Sequence, residues 1–283
     1  MKKFEGMLFC TDLDGTLFRT DKTVSAPNRE AIAYFKAEGG IFTFITGRVP
    51  KTASGICQII DPNGPYGCFN GGGIYDPRQN AYLWTEKLSA DALELVKAVE
   101  QTLPEIGIQP NTEDGVYFYR DNSGMEHFRK VTGLPNRSCR LEDIENALLK
   151  VVFASKEESR LLELADFLNS HPLASRFDFI RSEYYLYEML PKGVSKGKAL
   201  RKMAQLLGIQ PSHTIAAGDY YNDVSMLQTA GLSFAVSNAV PEAKAAAKYI
   251  TVSNNEDAIA RIIEGIDRGA FIPKMISEES ATE

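Results

Sequence analysis

Two kinds of hydrophobic pattern alternate along the first part of the chain. The stretch at 7–11, which begins with four apolar residues, is typical of a short strand, and the continuous β-branched and aromatic run at 41–45 is typical of a strand buried on both faces. Apolar residues then recur at helical spacing, which predicts one helix at 27–39 and a second helix that ends at Ile60. Strands that alternate with helices predict a parallel, doubly wound sheet, which is a Rossmann-like α/β fold.

The same alternation returns after Pro191. Ser195 provides the N-cap of a predicted helix that ends at Leu207. Beyond this helix the pattern predicts three further strands and a last helix, at 214–217, 232–236, 248–252 and 257–266. We therefore assign this stretch to the second half of the same sheet.

The section between these halves has a different character. It is rich in aromatic residues, and it begins with a helix that Ser89 can cap. Strands are predicted at 116–119 and 148–154, a helix at 157–170, and a strand pair at 177–181 and 184–190 around a turn at Ser182 and Glu183. We predict an α+β module inserted at 78–190, between the two parts of one core domain at 1–77 and 191–283.

The composition excludes several classes of function. The chain has 283 residues, of which 44% are hydrophobic and 24% charged, and its net charge is −6. It shows no clustered basic face of the kind that binds nucleic acid. The first apolar run is too short for a signal sequence or a membrane span. We therefore expect a cytoplasmic protein without a nucleic-acid or membrane partner, with a frayed acidic tail from Ser277.

Cysteine and histidine do not form a recognisable metal site. Four cysteines lack C-x-x-C spacing, which indicates free thiols in a reducing compartment, and the three histidines are scattered. An acidic protein that binds anionic substrates must then concentrate positive charge locally or use a metal ion held by oxygen ligands.

Acidic and polar side chains follow several of the predicted strands. Asp12 and Asp14 come directly after the first strand, although this pair alone is equally compatible with an Asp-rich turn. In open parallel sheets, ligands bind beyond the carboxyl ends of the strands. Further polar residues that could bind a metal ion or a phosphate lie at or near such ends: Thr46, Lys196, Asp219, Asn222 and Asp223.

This set of residue types suits phosphoryl transfer assisted by Mg²⁺. Magnesium prefers oxygen ligands and is usually held by one or two carboxylates together with phosphate and water. A carboxylate nucleophile can divide hydrolysis into two steps through an aspartyl-phosphate. A lysine supplies a point charge that offsets the negative charge of the carboxylates and the phosphate.

The ordered segments resemble the four motifs of the haloacid dehalogenase superfamily, specifically its Cof-type phosphatases with an inserted α+β cap. Each segment is weak evidence alone, but all four occur in the right order with a gap of the size of a cap. They are Asp-Leu-Asp-Gly-Thr-Leu from Asp12, Thr46-Gly47-Arg48, the stretch from Pro191 to Gly197, and Gly218-Asp219 with Asn222-Asp223. Tyr220 departs from the family pattern, which often has a small serine there.

The resemblance implies a role for each acidic residue. Asp12 would be the nucleophile and a Mg²⁺ ligand. Asp14 would protonate the leaving oxygen, then deprotonate the attacking water, and would offer its backbone carbonyl to Mg²⁺. Asp219 would be a further Mg²⁺ ligand, and Asp223 would bind the ion directly or support its ligands.

The resemblance also implies a phosphate site. Thr46, Gly47, Lys196 and Asn222 would bind the phosphoryl group. Three further residues are candidate substrate contacts, each with an ordinary structural alternative: an ion pair for Arg48, a turn for Asn70 and a solvated side chain for Lys192.

The expected function is a Mg²⁺-dependent phosphatase that acts on small phosphorylated metabolites, with sugar phosphates foremost. A sugar phosphomutase that uses the same site is the alternative. A signalling receiver domain also combines Asp, Thr and Lys on a parallel sheet, but it lacks an acid two residues after the phospho-acceptor. The sequence specifies neither the substrate nor the oligomeric state.

Overall fold

The computed structural model describes residues 2–144 and 147–271, and a parallel five-stranded sheet lies at its centre. In spatial order its strands are β13 (Tyr249–Ile250), β12 (Leu232–Ala235), β11 (Thr214–Gly218), β1 (Leu8–Thr11) and β2 (Ile41–Phe44). The chain passes from β1 to β2 and later returns to β11 on the other side of β1. The strand order therefore reverses between β1 and β11, which is where open α/β sheets bind ligands.

Helices cover both faces of this sheet, as a doubly wound fold requires. Phe9 of β1 points into one hydrophobic cluster, whereas its neighbours Leu8 and Cys10 point into another on the opposite face. The Phe9 cluster includes residues of α1 (Ala26–Ala37), α2 (Pro50–Ile60) and α9 (Ala258–Asp267). The opposite cluster includes residues of α6 (Lys196–Leu206), α7 (Val224–Thr229) and α8 (Pro241–Ala246). The predicted parallel α/β fold is confirmed.

A second sheet, which is antiparallel, is formed by the section between the two halves. Its strands in spatial order are β7 (Gly115–Val116), β6 (Gly107–Thr112), β8 (Lys150–Ala154), β10 (Leu186–Pro191) and β9 (Phe177–Glu183). Helices α3 (Asp91–Thr102) and α5 (Glu158–Ser170) share a hydrophobic cluster with Val151 and Met189 on one face, while α4 (Ser123–Thr132) follows β7. Because side chains alternate along a strand, Lys150 and Glu188 lie on the other face.

A small antiparallel sheet connects these two regions. Its strands are β3 (Tyr66–Cys68), β4 (Gly73–Asp76) and β5 (Ala81–Thr85). Strands β4 and β5 were not predicted from the sequence. Their hairpin spans the predicted boundary between residues 77 and 78. The domain boundaries therefore stay predictions.

The inserted section is where the predicted elements were least accurate. The strand predicted at 116–119 was wrong, because β7 ends at Val116. Strand β6 was missed, since its sequence carries Pro110 and buried polar residues in place of an apolar run. Helix α4 was missed as well, and its sequence is largely polar.

Two turns differ in detail from the prediction. The turn between β9 and β10 lies at Tyr184 and Tyr185, two residues after the predicted position. Ser89 does not cap α3, whose N-cap residue is Ala90 without a side-chain bond. The Ser89 hydroxyl instead donates to the Asp91 carboxylate at 3.2 Å. By contrast, Ser195 caps α6 as predicted, accepting from the Lys198 N–H at 3.2 Å.

Two remaining expectations concern the chain as a whole. Among the helices of residues 2–144 and 147–271, none combines the length and apolar composition needed to cross a bilayer. The acidic tail from Ser277 lies outside the described residues.

Candidate active site

Asp12 lies one residue beyond β1, at the carboxyl edge of the parallel sheet. Its backbone N–H donates to the carbonyl of Ala217 at 2.9 Å, which extends the pairing of β1 with β11. The buried Asp12 carboxylate accepts a hydrogen bond from Lys196 Nζ at 2.5 Å. Lys196 is the first residue of α6, so the Ser195 cap fixes the turn that carries this lysine.

Lys196 also joins Asp12 to the loop after β11. Its Nζ donates to Asp223 Oδ1 at 2.6 Å, and neither side chain is more than 1% exposed. The other oxygen of Asp223 accepts from the backbone N–H groups of Asp219 and Tyr220, at 2.9 and 3.0 Å. Asp223 therefore uses both oxygens to hold the lysine and the loop that carries Asp219.

Asp219 approaches the turn that follows Asp14. Its Oδ1 accepts from the Thr16 hydroxyl at 2.7 Å. Gly15 has a φ of +86°, and a Cβ at this position would overlap the Asp219 carboxylate. Only glycine both adopts this backbone conformation freely and admits such a close approach.

Three of the four predicted metal ligands converge. Each of Asp12, Asp219 and Asp223 contributes a carboxylate oxygen, and these oxygens all lie within 4.8 Å of one another. The fourth, Asp14, is predicted to bind through its backbone carbonyl, and its side chain lies outside this group. The cluster places three carboxylates beside one buried ammonium, and its donor atoms are all oxygen. This donor set fits a hard divalent cation such as Mg²⁺.

The crowding of these acids alters their protonation. Burial raises the pKa of Asp12 well above its usual value, against the opposing charge of Lys196, and the charges of Asp223 and Asp219 add to the rise. Burial, with the charge of Asp223, raises the pKa of Asp219 to about 7. Burial alone would lower the pKa of Lys196, but Asp12 and Asp223 raise it, so the lysine stays charged.

Asp14 has different surroundings from Asp12. The Arg48 guanidinium donates to both of its oxygens, at 2.9 to 3.1 Å, and Lys22 Nζ donates to Oδ1 at 3.0 Å. Burial alone would raise the pKa of Asp14, but the charges of Arg48 and Lys22 lower it overall. The two neighbouring acids therefore have pKa values shifted in opposite directions.

The loop after β2 and the turn after β3 meet beside the acidic cluster. Buried Thr46 accepts from the Arg48 N–H through its hydroxyl at 3.2 Å. Asn70 has a φ of +55°, which suits its predicted turn role, and its amide packs against Gly47. Asn222 Nδ2 donates to Asn70 Oδ1 at 3.0 Å. The predicted phosphate-binding residues Gly47 and Asn222 are thus connected through Asn70.

Lys192 is not brought into this group. Its Nζ pairs with the Asp178 carboxylate at 2.7 Å, and its side chain is 60% exposed. A substrate contact by Lys192 stays a prediction.

Several residues at or near the site were missed by the sequence analysis. Thr16 lies inside the first motif, whereas Lys22 lies in a polar loop that gave no signal. Lys150 and Glu188 contact Gly47 and Asn70 from the antiparallel sheet. A charged residue inside an otherwise apolar strand was the signal that could have identified these two.

The family of the chain follows from comparison with known proteins. Residues 9–263 match the family model of haloacid dehalogenase-like hydrolases. Because this match spans most of the sequence, the chain belongs to that family.

Individual relatives narrow the class further. The 5-amino-6-(5-phospho-D-ribitylamino)uracil phosphatase YitU of Bacillus subtilis is 27% identical over 261 residues, which cover 91% of this chain and 96% of that protein. The HMP-PP phosphatase of Serratia proteamaculans is 28% identical over 275 residues, covering 92% and 95%.

The fold has close counterparts among solved structures. A haloacid dehalogenase-like hydrolase from Bacteroides thetaiotaomicron superimposes with a TM-score of 0.81 at 26% identity, covering 92% of this chain and 99% of that one. Together with the family and the named relatives, this likeness confirms the predicted class of enzyme, a phosphatase of the haloacid dehalogenase type.

Proposed function

We propose that the chain hydrolyses small phosphorylated metabolites, with sugar phosphates foremost, in a Mg²⁺-dependent reaction that proceeds through an aspartyl-phosphate on Asp12. One observation supports this proposal above all others. Asp12, Lys196, Asp219 and Asp223 meet in one cluster at the carboxyl edge of the sheet, with Asp14 two residues beyond Asp12.

In the first step a carboxylate oxygen of Asp12 attacks phosphorus, and the bond between phosphorus and the leaving oxygen breaks. Asp14 enters this step protonated, which is the form in which the preceding turnover leaves it, and gives its proton to that oxygen, while the phosphoryl group remains on Asp12. In the second step Asp14 takes a proton from water, whose oxygen attacks phosphorus and restores the Asp12 carboxylate. Arg48 and Lys22 stabilise the carboxylate that Asp14 becomes in the first step, which is the form that accepts this proton.

The phosphoryl group would be held by the polar groups that surround Asp12. Lys196 supplies a fixed positive charge, Thr46 and Gly47 lie on the loop after β2, and Asn222 lies on the loop after β11. In phosphoryl transfer, catalysis consists mainly of such positioning and of neutralising charge on the phosphoryl oxygens.

Asp12, Asp219 and the backbone carbonyl of Asp14 would hold Mg²⁺, with Asp223 supporting Asp219 through its backbone N–H. When bound, the ion supplies positive charge that offsets the phosphate and the clustered carboxylates. The protein fixes the positions of the two carboxylates, because Lys196 orients Asp12 and the Thr16 hydroxyl orients Asp219.

The substrate proposal draws on the relatives and on the inserted section. YitU is named for a small phosphate ester, which supports a small phosphorylated metabolite here. We propose that 1–77 and 191–283 form the catalytic core and that 78–190 form a cap over the leaving group. A cap in this place excludes bulk water and large protein substrates.

The test uses the purified full chain and p-nitrophenyl phosphate. We expect hydrolysis that requires added Mg²⁺, stops with excess EDTA, and needs no bisphosphate activator. Intact-mass measurement of Asp14→Asn after brief exposure to substrate should reveal one added phosphoryl group, which is absent in Asp12→Asn. Full activity of Asp12→Asn, or activity unaffected by EDTA, would contradict the proposal.

A further inference from the structure

A buried ion pair connects the inserted antiparallel sheet to the loops of the active site. Lys150 Nζ on β8 donates to Glu188 Oε2 on β10 at 2.8 Å, and both side chains are 4% exposed. The proposed phosphatase mechanism does not use either residue. Charged side chains are rarely buried to this degree unless they are paired with other groups. The contacts of Lys150 and Glu188 therefore indicate what this pair does.

Both members of the pair reach across to the core. Lys150 Nζ donates to the backbone carbonyl of Gly47 at 2.9 Å. Glu188 Oε2 accepts from Asn70 Nδ2 at 2.8 Å, and its Oε1 accepts from the Ser182 hydroxyl at 2.6 Å. Ser182 thus holds the pair within its own sheet. From there Lys150 contacts the loop after β2, and Glu188 contacts the turn after β3.

A carboxylate at position 188 determines how the two asparagine amides are oriented. An ionised carboxylate only accepts hydrogen bonds, so Asn70 must present its NH₂ group to Glu188. The Asn70 carbonyl oxygen then faces the other way, where it accepts from Asn222 Nδ2 at 3.0 Å. Asn222 must therefore present its NH₂ group to Asn70, and in the proposed phosphate site its second N–H would donate to a phosphoryl oxygen.

The opposite orientation would oppose phosphate binding. An inverted Asn222 amide would place its carbonyl oxygen where the N–H had been, and an oxygen acceptor repels a phosphoryl oxygen. A neutral glutamine at position 188 can either donate or accept, so it does not enforce one orientation of Asn70.

We propose that Glu188 and Lys150 are positioning residues for the phosphate site: Glu188 orients Asn222 through Asn70, and Lys150 fixes the carbonyl of Gly47. Docking of the inserted sheet against the core thereby completes the site. This inference rests on the proposed function, because it assigns phosphate binding to Gly47 and Asn222.

The experiment is a double-mutant cycle on the full chain. Wild type, Glu188→Gln, Asn70→Gly and the double variant are compared by kcat and KM for p-nitrophenyl phosphate and by inhibition with inorganic phosphate. Glycine is chosen at position 70 because it accepts the positive φ. We expect Glu188→Gln to lower kcat/KM and phosphate affinity about tenfold, as loss of an orienting partner does at a catalytic site.

The same substitution should lose its effect when Asn70 is absent. We expect Glu188→Gln to change kcat/KM by less than about twofold in the Asn70→Gly background, because residues that act through one contact are not additive. An equal loss in both backgrounds would overturn the role of Glu188. Wild-type protein that lacks phosphatase activity would instead reject the proposed function.

Lys150→Met tests the second part of the proposal, that Lys150 fixes the carbonyl of Gly47. The variant is compared with the wild type by kcat and KM and by inhibition with inorganic phosphate. A matched control comes from the exposed pair Lys97 and Glu142, which are joined at 3.0 Å. Lys97→Met and Glu142→Gln should leave phosphate affinity unchanged, whereas Lys150→Met should weaken it about tenfold. Equal behaviour of the Lys150 and Lys97 variants would overturn the role of Lys150.

A folding defect would not prevent a result. If a single variant does not fold, the apolar pair Lys150→Met with Glu188→Met removes both contacts to the core, and such replacements are often neutral or stabilising. A folded double variant with weakened phosphate binding supports the proposal, and one with wild-type phosphate binding contradicts it.

Discussion

Lys196 and Lys150 are both buried lysines paired with carboxylates, but their surroundings differ in charge. Lys196 is 1% exposed and donates to Asp12 and Asp223, with Asp219 in the same cluster, so three acids meet one base. Lys150 is 4% exposed, and Glu188 is the one carboxylate that pairs with it among residues 2–144 and 147–271. The remaining partners of that second pair are a backbone carbonyl, an amide and a hydroxyl.

The difference separates a ligand site from a structural contact. Excess negative charge in a buried place is costly unless a cation or a proton compensates it, and the raised pKa values of Asp12 and Asp219 express that cost. A pair with equal and opposite charges needs no further partner. We therefore interpret the cluster around Lys196 as a cation-binding site and the pair of Lys150 and Glu188 as a contact that holds loops in place.

The largest expected effect is on activity, in Asp12→Asn. This change removes the nucleophile and should lower kcat at least about a thousandfold, in line with the loss of other catalytic nucleophiles. It also removes one excess charge, so the metal-free variant should be at least as stable as the wild type. Thermal unfolding in EDTA, together with the p-nitrophenyl phosphate assay, measures both quantities. A marked loss of stability would mean that the Asp12 charge is fully compensated by Lys196.

The next effect concerns stability and distinguishes the two lysines. Lys150→Met leaves Glu188 buried without its charged partner and should cost about 3–5 kcal/mol, most of which Lys150→Met with Glu188→Met should recover. Lys196→Met should be similarly destabilising, but adding Asp12→Asn should recover little, because Asp219 and Asp223 remain. Urea unfolding with comparable m-values provides the free energies. If the second substitution recovered the same free energy of unfolding at the Lys150 pair and at the Lys196 cluster, the two would not differ in charge balance.

This comparison also explains what could be predicted from the sequence. Asp12, Asp219 and Lys196 follow strands or start a helix in a parallel sheet, and the geometry of such sheets brings these positions together. The motif order was therefore sufficient to predict the cluster. The contact of Lys150 with Gly47 depends on how an antiparallel sheet docks on the core, and residue spacing does not encode that docking.

The same reason accounts for the missed elements of the inserted section. Strand β6 contains Gln109 and Asn111, which are buried because of what covers them and not because they are apolar. Helix α4 follows the cap residue Asn122, and only three of its ten residues are apolar, Met125, Phe128 and Val131. In the core, by contrast, β1 is fully buried and three of its four residues are apolar, so its sequence pattern reveals it directly.

A smaller effect is expected from pH. The pKa of Asp219 is raised from 3.8 to about 7 in the folded protein, so the folded state binds a proton more tightly than the unfolded chain does within that interval. Stability of the metal-free protein should therefore fall as the pH rises through the interval, and the raised pKa of Asp12 acts in the same direction.

Mg²⁺ should reverse this trend. Because the cation binds ionised carboxylates, it should raise the unfolding temperature more at about pH 8 than at about pH 5. Thermal unfolding with EDTA or MgCl₂ at each pH measures the difference. Asp219→Asn should flatten the metal-free profile, and a variant whose slope matches the wild type would assign the pH dependence to other groups.

The smallest effect compares two matched helix caps. Ser195 caps α6 and Ser25 caps α1, and each hydroxyl accepts a backbone N–H at 3.2 Å. Ser195→Ala and Ser25→Ala should each cost about 1 kcal/mol of stability. Only the first loosens the turn that carries Lys196, so only the first should also lower kcat. If both variants lose the same stability and neither loses activity, the position of Lys196 is set by its carboxylate partners and not by the helix that carries it.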